Sequence, residues 1–76
     1  DMIMESKLVF LHKLWCMTEM LYNDLVSMQI KIEEEGIPEK YSYDYYFYLK
    51  KFIEDTSVQL TQKGNEIDSI ENGEEE

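Results

Sequence analysis

The stretch that decides the fold is Glu33-Glu34-Glu35-Gly36-Ile37-Pro38-Glu39-Lys40. Glycine ends helices readily because it takes positive φ without a Cβ clash, and a proline two residues later prevents the helix from resuming. On its N-terminal side, Met4, Leu11, Leu14, Thr18, Leu21, Leu25, Met28 and Ile32 recur on steps of three and four, with Lys7 as a polar intruder. On its C-terminal side, Tyr46, Leu49, Ile53, Thr56, Leu60, Lys63, Ile67 and Ile70 do the same. Each set occupies one face of an α-helix. The prediction is an all-α antiparallel helical hairpin, with helix 1 over about 5–35, a turn over 36–41 and helix 2 over about 42–71.

Ser42 and Asp44 are both able to cap helix 2. Gly64 costs about 1 kcal/mol in a helix interior, yet the stripe continues through Ile67 and Ile70, so the helix is expected to pass through it. Asn72-Gly73 ends it, and residues 72–76 read as an acidic disordered tail. Folded about the breaker, Ile32 faces Tyr46, Met28 faces Leu49, Leu25 faces Ile53 and Leu21 faces Thr56. Thr18 then faces Leu60, Leu14 faces Lys63 and Leu11 faces Ile67. No polar seam residue meets another, which favours a hairpin over two helices pointing apart.

A chain of 76 residues makes one domain and buries only about 60% of its unfolded surface. Such small scaffolds rely on disulfides, a metal or a partner. An internal disulfide is ruled out, because Cys16 is the only cysteine. A lone thiol suits a reducing compartment, so a cytoplasmic or nuclear location is expected. No run of about 18 apolar residues is present to cross a membrane. Asp1-Met2-Ile3-Met4-Glu5 lacks the basic stretch of a secretory leader.

The net charge of −10 is uneven: −4 over residues 1–35, zero over 36–64 and −6 over 65–76. An acidic protein of this kind is not expected to bind a nucleic-acid backbone or an anionic membrane directly. The chain contains neither arginine nor alanine, a bias that suits an AT-rich genome such as that of some bacteria, phages or viruses.

A hairpin covers one stripe per helix, and helix 1 has more to cover. Leu8, Trp15 and Tyr22 run along one flank of its seam, Ile3, Phe10 and Met17 along the other. Val9 and Cys16 lie opposite. Exposed apolar area of that extent is unusual on a soluble monomer, so a second copy completing a four-helix bundle, or another protein, is expected to cover it. Five of the six tyrosines fall within residues 41–48, and tyrosine is favoured where a large ring must tolerate water. The expected interface residues are Leu8, Phe10, Trp15, Met17, Tyr22, Tyr45 and Tyr48, with Trp15 as the principal anchor.

Little else carries chemistry. His12 and Cys16 share a helix face, but one such pair is a weak metal signal, and no metal or cofactor is expected. His12 on the first helix of a dimeric hairpin has the layout of a histidine phosphotransfer domain. Those domains usually carry an acid beside the histidine and a proline soon after, whereas Lys13 follows here and no proline precedes Pro38. Glycine-rich phosphate loops, serine elbows and paired CxxC motifs are absent. The expected function is a non-enzymatic protein–protein interaction module that oligomerises or binds a partner through apolar and aromatic surface. The alternatives are an acidic inhibitor that mimics nucleic acid in a basic cleft, and the phosphotransfer domain.

Overall fold

A computed structural model of the chain describes residues 1–73. Helix α1 spans Met2–Glu35 and helix α2 spans Asp44–Glu71. They pack as an antiparallel hairpin with a Cα envelope of 54 × 17 × 15 Å, and no strand occurs among the described residues. The fold is the one the breaker and the two stripes predict. Residues 74–76, the end of the expected acidic tail, lie outside the described residues.

α1 begins at Met2 rather than near Glu5 because Asp1 caps it. The Asp1 carboxylate accepts the Met4 N–H at 3.0 Å, satisfying one of the amides that a helix start leaves without a partner. At the other end, the Gly36 N–H donates to the Ile32 carbonyl at 2.7 Å. Gly36 has φ 88° and ψ 169°, so it takes positive φ with an extended ψ instead of the left-handed helical turn usual after a helix. That region is open essentially to glycine alone. Two turns follow, closed by Tyr41 N–H to Pro38 C=O and Tyr45 N–H to Ser42 C=O, each 3.0 Å. α2 therefore starts two residues later than about 42, and its N-cap, Tyr43, makes no side-chain capping bond. Neither Ser42 nor Asp44 takes that role.

The core is thin. Leu11, Leu25, Leu49 and Ile67 are its buried apolar residues, joined by Thr56. Thr56 and Thr18 satisfy their hydroxyls within their own helices, donating to the carbonyls of Phe52 at 2.8 Å and Leu14 at 2.7 Å. This back-bonding lets a threonine sit in an apolar seam without an unpaired polar group.

The seam on α1 differs from the expected one. The row Leu11, Thr18, Leu25 and Ile32 faces α2, but Leu21 and Met28, assigned to the seam from the sequence, remain 43% and 40% exposed. Trp15, Tyr22 and Gln29 are half-buried in their stead, so α1 is rotated toward its Leu8–Trp15–Tyr22 flank. The cause is a specific contact. The Trp15 indole N–H donates to the Leu60 carbonyl at 2.9 Å, and the ring lies over Gly64, where an added Cβ would stand 3.4 Å from Nε1. Gly64 stays inside an unbroken α2 and supplies the bare backbone on which the indole rests.

Both ends of the hairpin carry polar ties. At the open end, Lys7 and Lys63 share the Glu66 carboxylate, at 3.3 Å and 3.5 Å. The two polar intruders in the apolar stripes thus neutralise against one acid. The Lys7 contact, aided by the Lys63 charge, holds the Glu66 carboxyl below its ordinary range. At the turn, the Tyr46 hydroxyl donates to Glu33 Oε2 at 2.7 Å, and Gln29 Nε2 reaches the same oxygen at 3.3 Å. The hydrogen bond to Glu33, which only the protonated phenol can donate, raises the Tyr46 pKa, and the carboxylate's charge adds to the effect. This contact also gives a donor to the last turn of α1, where three consecutive acids oppose the helix dipole.

Candidate protein interface

Rotation of α1 sorts its surplus apolar residues into two groups. Leu8, Trp15 and Tyr22 become half-buried along the seam, so three of the seven expected interface residues serve the hairpin itself. Phe10 and Met17, on the opposite flank, are 62% and 68% exposed. Leu21 and Met28 join them, because residues 10, 14, 17, 21 and 28 fall within one side of a helix of 3.6 residues per turn. Leu14, in the same row, is half-buried.

α2 extends this surface. A shallow groove of about 240 Å³ runs between Leu14, Thr18 and Leu21 on α1 and Phe52, Thr56 and Gln59 on α2, with the charged Asp55 and Lys63 also lining it on the α2 side. Phe52 is 48% exposed and Tyr48, one turn before it, 63%. Tyr45, a further turn back from that row, is half-buried and stacks on Tyr41 with ring centroids 4.6 Å apart. Tyr48 meets Phe47 edge-on at 5.5 Å. Next to Tyr45, a cleft of about 470 Å³ opens under the turn, lined by Met28, Ile32, Ile37 and Pro38 with Lys31, Glu35 and Glu39 at its edge.

The result is one apolar face made by both helices: Phe10, Met17, Leu21 and Met28 from α1, Tyr48 and Phe52 from α2. Sequence reasoning placed Phe10, Met17 and Tyr48 at the interface. It assigned Leu21 and Met28 to the seam and did not select Phe52. The signal that separates the two arrangements is Gly64, the one position in the α2 stripe region with no side chain to oppose Trp15.

Outside this face the titratable groups are dispersed. His12 Nε2 lies 3.4 Å from Glu71, Cys16 is a free exposed thiol, and the described residues contain no group of three or more His, Cys, Asp or Glu arranged to hold a metal ion. Lys40 lies over the Tyr41 ring at 5.1 Å and Lys50 over the Tyr46 ring at 4.6 Å, so two of the cations near the tyrosine cluster are seated on aromatic faces. No helix among the described residues is long and apolar enough to cross a membrane. No protein-family model, curated protein or solved structure matches the chain.

Proposed function

We propose that this chain is a non-enzymatic protein–protein interaction module that docks through the apolar face formed by Phe10, Met17, Leu21 and Met28 with Tyr48 and Phe52. The observation that carries the reading is the continuity of that face. α1 presents four large apolar side chains over five turns, each 40% or more exposed. Large contiguous apolar patches on small proteins mark sites of association. Methionines at two of the four positions add an adaptable, polarizable surface of the kind suited to docking. Aromatic side chains at its α2 edge contribute area with few rotatable bonds.

The test is to place a lysine at the centre of the face and another outside it. Leu21→Lys and Phe52→Lys should each abolish association and binding of an apolar reporter dye. Val58→Lys, on an exposed position away from the groove, should change neither. Circular dichroism should show that all three remain helical, since each site is already exposed. Dye binding and association that survive both face variants, or that depend on Val58 instead, overturn the assignment.

A further inference from the structure

We infer that the occupant of the apolar face is a second copy of this chain, laid with the two α1 helices antiparallel and centred on residue 19; the inference rests on the interaction reading above. An interface between identical chains about a two-fold axis must be self-complementary. For antiparallel helices, whatever stands n residues before the axis on one copy meets whatever stands n residues after it on the other. The exposed row of α1 meets this condition. Phe10 and Met28 lie nine residues either side of 19, and Met17 and Leu21 lie two residues either side. Phe10 of one copy then packs on Met28 of the other, a sulfur–aromatic contact, and Met17 packs on Leu21. Phe10 and Met28 are five turns apart, roughly 27 Å, so all four contacts fall on one line along the helix.

The charges beside this row obey the same symmetry. Lys13 and Asp24 stand along its outer edge, and their midpoint falls within half a residue of the same centre. Antiparallel pairing sets Lys13 of each copy against Asp24 of the other. Parallel two-fold pairing would carry this edge to opposite sides of the interface in the two copies, leaving neither Lys13 nor Asp24 opposite the other. A hairpin with only four buried apolar residues among those described is also the kind of small scaffold that oligomerisation stabilises. Opposing these terms is the charge of −10 on each copy, a repulsion that salt screens.

Sedimentation equilibrium of the full chain tests this. The wild type should be a dimer at micromolar concentration, and raising salt from about 0.05 M to about 0.5 M should tighten it. Leu21→Lys should weaken dimerisation by at least about 100-fold, because a charge enters a desolvated contact. That loss cannot come from net repulsion, since the lysine lowers the negative charge. Lys13→Glu and Asp24→Lys should each weaken it about tenfold by setting like charges together at two symmetric places. The double variant Lys13→Glu/Asp24→Lys should restore wild-type affinity. A double variant no tighter than the single ones overturns the antiparallel register, even where Leu21→Lys dissociates the dimer. A wild-type monomer at high micromolar concentration, with dye binding still dependent on Leu21, overturns the second-copy occupant and leaves the interaction reading standing. So does association with a basic amphipathic peptide that weakens as salt rises. Dye binding and association both indifferent to Leu21→Lys overturn the inference and the interaction reading together.

Discussion

Replacing Trp15 separates the tertiary role seen here from the interface role expected of a lone tryptophan. Truncating a buried aromatic ring to alanine costs about 3–5 kcal/mol. Trp15 is at least about two-thirds buried, so roughly 2–4 kcal/mol of that is the packing share. The indole also donates to Leu60 C=O, a bond worth about 1 kcal/mol net. Trp15→Ala should therefore destabilise the hairpin by about 3–5 kcal/mol, and Trp15→Phe, which keeps a ring but loses the donor, by about 1 kcal/mol. At roughly 4–8 °C per kcal/mol for a domain of this size, the alanine variant loses on the order of 10–40 °C in Tm. Gly64 gives the reciprocal experiment. Gly64→Leu should displace the indole and raise Trp15 fluorescence quenching by a soluble quencher. Gly64→Ala, whose Cβ meets the ring at ordinary contact distance, should gain up to about 1 kcal/mol of helix propensity. Thermal unfolding followed by circular dichroism, at a concentration where the chain is monomeric, is the assay. An unchanged monomer midpoint in Trp15→Ala, together with weakened association, would refute the reasoning and return Trp15 to the outer surface.

Three further outcomes are expected. Gly36→Ala should cost about 1–3 kcal/mol through backbone strain alone, since nothing lies within 4 Å of an added Cβ; a synthetic chain with D-alanine at 36 should recover most of it, and equal stability of the L-alanine chain would refute the glycine-only turn. Glu66 has a folded pKa below its unfolded value, so its contribution is present above about pH 4.5 and is lost as pH falls through the lower folded value; Glu66→Gln should flatten that acid limb of the urea midpoint against pH. Tyr46 has a raised folded pKa, so its bond to Glu33 contributes below about pH 10.0 and is lost as pH rises through the higher folded value; Tyr46→Phe should remove that alkaline loss, and an identical alkaline profile in both chains would refute it.

The two helices and the point where the chain reverses were determined by the sequence alone. Gly36 and Pro38 are local signals, and local signals need no partner to act. The row Leu11, Thr18, Leu25 and Ile32 was also legible, because a seven-residue repeat of this length returns to the same side of a helix. The neighbouring rows were not. Leu14-Leu21-Met28 and Trp15-Tyr22-Gln29 flank that central row on either side, and a modest rotation of the helix exchanges them. Hydrophobic spacing favours the first set, since Gln29 spoils the second, and that preference assigned Leu21 and Met28 to the seam. The tertiary structure decides otherwise through a contact between residues far apart in the chain. Trp15 finds a carbonyl at Leu60 and a bare backbone at Gly64, and the area of its ring together with one satisfied donor outweighs the cost of half-burying an amide. Phe10, Met17 and Tyr48 could be placed outside the seam in either rotation, so the sequence sufficed for them. Leu21 and Met28 became surface residues only when α1 turned, and with that turn they came to lie beside Phe52, which stands outside the α2 stripe in either rotation.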